Sequence, residues 1–184
     1  QELDRLRKAL EAERRKARTD VGTGLPNTRR LLEDLRGLCD PSRPQPVGLV
    51  FIDLDYFGAI NKQHGDSTGD DVLRQVADVF RAACRGQDTV YRKGGEEFVV
   101  VLPGADHDQA VRVGERFRRR LVEHGITHGG RADMPFVTLS AGVATAELVD
   151  DGSVDELMRV AAMRMLTAKQ SGRNRVVSEG GAST

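Results

Sequence analysis

The chain has 184 residues, and its 28 lysines and arginines balance 28 acidic residues to a formal net charge of zero. That length supports one domain of ordinary size with a short appendage, and the charge balance excludes a wholesale footprint for nucleic acid or an anionic membrane. No run approaches a membrane span and no signal-peptide pattern is present, so a cytoplasmic location without direct membrane contact is expected.

Cys39 and Cys84 are too few for a disulfide framework, and Cys84 falls on an apolar helical position as a reduced, buried thiol. Because the chain begins on Gln1, it is expected to be a segment of a longer protein.

Residues 1–19 lead the chain; up to residue 18 they are charged, free of Gly and Pro, and carry Leu3, Leu6 and Leu10 at heptad-like spacing. This predicts a helix, either the end of a coiled-coil linker or a solvated helix with no partner. Glycines and a proline between Thr19 and Asn27 break it, and Asn27 or Thr28 caps a second helix with Leu31, Leu35 and Leu38 on one face. A proline-rich loop over 41–46 leads into Val47–Ile52, an apolar run that reads as a central strand covered on both faces. It ends in Asp53-Leu54-Asp55, where a carboxylate is held rigidly at an open sheet edge. Residues 56–65 predict a short helical turn and loop, and Gly69-Asp70 opens a helix with Leu73, Val76, Ala77, Phe80 and Cys84 inward.

Two β-branched and aromatic runs, 88–92 and 97–102, flank Gly94-Gly95, a tight-hairpin signal in which both glycines take positive φ. Glu96 and Glu97 at the exit exceed what chain reversal needs. Further on, 106–123 predicts a helix, a polar loop with glycines follows, 136–143 a strand, 154–170 a helix and 175–178 a last strand. The tail over 179–184 reads as disordered.

Asp53, Glu96 and Glu97, at the ends of two core strands, would repel one another unless a cation sits between them. Hard oxygen ligands in low number suit Mg²⁺ (or Mn²⁺); the plain alternative is a set of solvated strand-end charges. Asn61 and Asp70 offer what a guanine edge needs, although Asp70 by spacing equally serves as a helix N-cap. Lys169 and Arg173 follow the last helix, where cations ordinarily compensate its dipole. Arg85 and Asp88 are spaced as a surface turn with an i,i+3 ion pair. The histidines at 64, 107, 124 and 128 lack metal-ligand spacing.

Gly94-Gly95-Glu96-Glu97-Phe98 resembles the signature of GGDEF domains, the bacterial diguanylate cyclases, in its GGEEF form. Four further blocks, around 19–28, 53–70, 136–143 and 168–174, are similar to the family's motifs in the same order, so the resemblance spans about residues 20–178. Departures stand at Gly22, Thr28, Gly58, Asp66, Ala162, Arg164 and Leu166; the family's usual Lys is Gly58 here.

The resemblance implies an α/β (α+β) domain, a central, mostly antiparallel sheet flanked by helices as in nucleotidyl cyclases. It implies a diguanylate cyclase that condenses two GTP into cyclic di-GMP as an antiparallel homodimer beneath an upstream sensory domain. By the same resemblance Asp53, Glu96 and the Leu54 carbonyl hold the metal, and Glu97 supports the metal or the attacking hydroxyl. Asn61 and Asp70 read the guanine, and the Phe57–Gly58 amides, Gly94, Gly95, Lys169 and Arg173 cradle the triphosphate. Arg85, Asp88 and Arg116 form an inhibitory product site. A non-catalytic module binding GTP or cyclic di-GMP is the alternative, and a cyclase acting on ATP fits the acids but not Asp70.

Overall fold

The computed structural model describes residues 1–127 and 135–183, with side chains through Gly181. The predicted glycine-containing loop after residue 127, His128 included, lies mostly outside the described residues. Six helices and six strands follow in the order α1 (Glu2–Ala17), α2 (Thr28–Gly37), β1 (Pro46–Leu54), α3 (Phe57–His64), α4 (Asp66–Ala83), β2 (Thr89–Gly94), β3 (Glu97–Pro103), α5 (His107–His124), β4 (Leu139–Glu147), α6 (Asp151–Gln170), β5 (Arg175–Ser178) and β6 (Gly181–Ser183). The sheet runs β2-β3-β1-β4-β5-β6, antiparallel except for the parallel β4–β5 pair. The expected mostly antiparallel sheet flanked by helices is what the chain forms.

β1 is central because its residues can be buried on both faces. Val50, Ile52 and Leu54 join a core with α3, α4 and α5, whereas Val47, Leu49 and Phe51 join a second core with α2 and α6. Side chains alternate along a strand, so the next residue on the α2/α6 side is Asp53. Each buried Val, Leu, Ile or Phe contributes about 1.5–3 kcal/mol, which makes the strand a rigid support for the carboxylate at its end. Helix α6 lies flush on β4 at Gly142, where an added Cβ would come within 2.0 Å of the Ala161 carbonyl.

Capping follows the sequence. The Asn27 side chain accepts from Arg30 N, and Asp106 forms a capping box with Gln109. α1 has no buried residue; Leu3, Leu6 and Leu10 are all more than half exposed, so nothing within the described chain covers the predicted seam. Among the described residues, no helix is long and apolar enough to cross a membrane.

Four expectations shift. α4 starts at Asp66, not at Gly69, because Gly65 (φ 85) turns the chain there; Asp70 therefore sits inside the helix and is not its N-cap. β4 begins at Leu139 and extends to Glu147, since β1 pairs with that whole span. Beyond β5, Glu179 and Gly180 turn the chain and Gly181–Ser183 pairs with β5, so an open edge gains a strand where disorder was expected. Cys84 is half-buried at the C-cap of α4, and burial pushes its thiol up to about 11.

Candidate active site at the ends of β1 and β3

The β2–β3 turn takes the conformation its glycines permit, with Gly94 at φ 153 and Gly95 at φ 51. A side chain at Gly95 would be held in the left-handed region at a cost of about 1 kcal/mol or more. Arg92 fixes this turn from below. Its Nε and Nη2 donate to the Gly95 carbonyl at 3.1 and 2.8 Å, and its Nη1 donates to Asp20 Oδ1 at 2.9 Å. Asp20 Oδ1 also accepts from Thr23 N and Oγ1. Burial alone would raise the Asp20 carboxyl, but the bonds from Thr23 and Arg92 hold it below the usual carboxylate range. Arg92 N donates to Pro26 O, and Asn27 donates through N and Nδ2 to Arg18 O and Ala17 O. The end of α1 is thereby joined to the Gly-Gly turn through a short chain of hydrogen bonds.

The acids lie at one end of the β1–β3 pair. Asp53 pairs with Glu97 across β1 and β3, and Leu54 N donates to Glu96 O at 3.2 Å. Burial raises the Asp53 carboxyl, the Lys169 ammonium opposes that shift, and the charges of Glu97 and Asp55 add to it. Burial also raises Glu96, and the charge of Asp53 raises it further. Lys169, on the last turn of α6, sets its Nζ 2.5 Å from Asp53 Oδ1. Glu97 is held by Lys93 Nζ at 3.4 Å.

These groups fit a divalent cation. Two carboxylates that each favour protonation in their mutual field gain from a cation between them. Among the described residues no group of three or more His, Cys, Asp and Glu gathers to hold a metal. Hard carboxylate oxygens in low number suit a small divalent cation that keeps waters and takes further oxygens from a phosphate ligand.

Asn61 and Asp70 are brought to the α3–α4 contact. The Asn61 amide packs against Gly69, where a Cβ would lie 1.8 Å from Oδ1, and that Oδ1 is buried without a hydrogen-bond partner in the protein. Asp70, the next residue, is exposed. The Phe57 ring is buried in the core, so only its backbone can face a ligand. Phe57 and Gly58 open α3, and their amides lack intrahelical partners. A Cβ at Gly58 would meet nothing within 4 Å, so a side chain would have room to leave the backbone there. Arg173 lies on the α6–β5 loop with its guanidinium 4.5 Å from the Tyr56 ring centroid.

Arg85 and Asp88 close a turn away from these acids: Asp88 N donates to Arg85 O at 2.9 Å and Asp88 Oδ2 accepts from Arg85 N at 3.0 Å. Arg116 Nη2 reaches the same Oδ2 at 2.6 Å and its Nε donates to Ala83 O. Arg85 and Arg116 line an open concavity of about 640 Å³ beside α5. Asp88 thus bonds both the Arg85 backbone and the Arg116 guanidinium.

Sequence reasoning missed two groups. Arg92 is one; the Asp20-to-Thr23 spacing in a glycine-rich stretch signalled the turn it completes. The other is the role of Asp55, which reads in the sequence as a strand-end acid beside Asp53 but is a buried acceptor, a difference no local pattern signals.

Residues 17–175 match the family model described as "Diguanylate cyclase, GGDEF domain". Diguanylate cyclase DgcZ of Escherichia coli K12 is 36% identical over 157 residues, 85% of this chain and 51% of that protein. Diguanylate cyclase A of Treponema denticola is 35% identical over 134 residues, 73% of this chain and 35% of its own length. The chain thus spans about half or less of the curated relatives it matches. Among solved structures, the coiled coil and GGDEF domain of DgcB from Caulobacter crescentus in complex with c-di-GMP superposes with a TM-score of 0.83 at 28% identity, covering 96% of this chain and 93% of that one. The active GGEEF domain of a diguanylate cyclase from Vibrio cholerae gives 0.72 at 31%, covering 83% and 96%.

Proposed function

Since the chain belongs to the GGDEF family, we propose that it is a diguanylate cyclase, condensing two GTP into cyclic di-GMP with release of two pyrophosphates. The observation that supports this reading is the β1–β3 pairing that puts Asp53 beside Glu97 and Leu54 beside Glu96 at the end of the sheet, with the charge of Asp53 felt at Glu96 and the Lys169 ammonium against Asp53. When bound there, Mg²⁺ (or Mn²⁺) would neutralise phosphate charge and polarise the reacting phosphorus. Asp53, Glu96 and the Leu54 carbonyl would hold it.

The chain's own residues would do the rest. Lys169, which lies against Asp53, would give its ammonium to the triphosphate, and Arg173 would add a second positive charge. The Phe57 and Gly58 amides and the bare Gly94-Gly95 backbone let phosphate oxygens approach. Asn61 and Asp70 take the guanine edge, with Asp70 accepting from N1–H and N2–H₂. Glu97 faces the 3′-hydroxyl or supports the cation. One site holds half the reaction, so two domains must face each other antiparallel; the exposed leucine seam of α1 would bring them together as a coiled-coil linker from an upstream sensory domain. Phosphoryl transfer of this kind rewards positioning and charge neutralisation.

Incubating the purified chain with GTP and Mg²⁺ tests the reading. Cyclic di-GMP and pyrophosphate are expected, with a rate rising more steeply than protein concentration. Bound GTP without product would favour a non-catalytic binding module.

Two variants follow from the geometry. Gly69→Ala pushes a methyl into the Asn61 amide, and GTP binding measured by calorimetry is expected to weaken about tenfold. The fold should survive, since overpacking costs about 1–3 kcal/mol. Arg85, Asp88 and Arg116 would bind product, an Arg fork on guanine O6 and N7 beside a carboxylate acceptor. Arg85→Ala is expected to raise the cyclic di-GMP concentration that halves turnover by about tenfold or more, read from inhibition curves.

A further inference from the structure

Asp55 stands just past the end of β1, two residues from Asp53, and is 2% exposed. Its Oδ1 accepts from Ser140 Oγ at 2.7 Å; its Oδ2 accepts from Thr138 Oγ1 at 2.7 Å and from the backbone N–H of Asn174 at 3.0 Å. Three protein donors on one buried carboxylate take up most of its acceptor sites, of which it has about four.

The segments it joins are the strained ones. Tyr56, Arg173 and Asn174 are the described non-glycine residues with positive φ, at 58°, 63° and 44°. Such conformations persist only where the surroundings over-determine them. Asp55 adjoins one of these residues and restrains another. It precedes Tyr56 in the chain, and it holds Asn174 through that residue's amide. On the far side, Arg118 Nη1 donates to Asn174 Oδ1 at 3.3 Å while its Nε donates to Glu115 Oε2 at 3.0 Å. Held from both sides, the loop sets the Arg173 guanidinium over the Tyr56 ring, a cation–π contact that limits its rotamers.

We infer that Asp55 is a positioning residue that acts through Asn174 to aim Arg173 at the triphosphate, and that it is not a metal ligand despite its place beside Asp53. This rests on the proposed reading of Arg173 as a phosphate contact. A double-mutant cycle with a GTP analogue carrying a methylene bridge between the α and β phosphorus tests it. Asp55→Asn and Arg173→Ala are each expected to weaken analogue binding about tenfold. The double variant should bind no more weakly than Arg173→Ala alone. The Mg²⁺ concentration that half-saturates binding should stay at the parent value in Asp55→Asn and rise in Asp53→Asn.

Losses that multiply in the double variant, or a raised Mg²⁺ requirement in Asp55→Asn, would overturn the inference and leave the cyclase reading standing. If Arg173→Ala alone leaves analogue binding unchanged, the triphosphate assignment fails first and the inference with it. Should Asp55→Asn not fold, Thr138→Val and Ser140→Ala each remove one donor and keep the carboxylate. Each should then weaken binding about threefold in the parent and not at all beside Arg173→Ala; no loss in either would equally overturn the idea.

Discussion

Replacing Glu96 by Gln is expected to lower cyclic di-GMP formation by about 10³-fold and at the same time to raise the melting temperature. The activity loss follows from removing one of two anionic oxygens that would hold the cation. The stability gain follows from the sign of the shift. The Glu96 carboxyl is raised in the folded chain, first by burial and then by the charge of Asp53. A raised carboxyl binds its proton more tightly when folded, so its contribution is favourable below the unfolded value and lost as pH rises through the folded one. At neutral pH the ionised group opposes folding, and the neutral amide relieves that. Because solvent screens a half-exposed group, the gain should be only about 1–2 °C, and it should vanish near pH 4. Asp53→Asn should lose as much activity without the gain, since it leaves the Lys169 ammonium without its partner at 2.5 Å. Calorimetric melts at pH 7 and pH 4 beside product assays check both signs.

The second large effect is expected at a residue that touches no substrate. Arg92→Ala should cost about 3 kcal/mol of stability and about two orders of magnitude of turnover. Its side chain is 14% exposed and serves two acceptors, the Asp20 carboxylate and the Gly95 carbonyl. Losing it leaves the Gly-Gly turn free to shift against β1 and loosens its tie to the end of α1. Arg92→Lys should rescue little, because a single ammonium cannot reproduce a fork that bonds two acceptors in different directions. Urea titrations and steady-state rates on the two variants separate the stability loss from the positioning loss.

Much of this was legible in the chain itself, for physical reasons. The run Val47–Ile52 could only be a strand buried on both faces, and its alternation between two cores put Asp53 on the α6 side. Gly94-Gly95 specified positive φ at both positions, and both have it. Gly94 ends β2 paired with Glu97, however, so the tight turn falls on Gly95 and Glu96, not on the two glycines as expected. Local patterns failed where a distant contact decides. Gly69 looked like a helix start, yet α4 already begins at Asp66 because Gly65 turns the chain there, and the glycine at 69 instead makes room for the Asn61 amide. Asp55 resembled a second strand-end acid, and only the fold brings Thr138, Ser140 and Asn174 to it. The tail offered too little apolar surface to read as a strand, but the open edge of β5 supplied the hydrogen bonds.

The most direct test of the central claim is the uptake of Mn²⁺ by the chain in the presence of GTP, followed as the loss of the free ion's electron paramagnetic resonance signal beyond that caused by the same GTP without protein. The acids at 53 and 96 should together take up Mn²⁺ saturably, and Asp53→Asn or Glu96→Gln should abolish that uptake while the fold persists. Uptake unchanged in both variants would place the ion elsewhere and contradict the account.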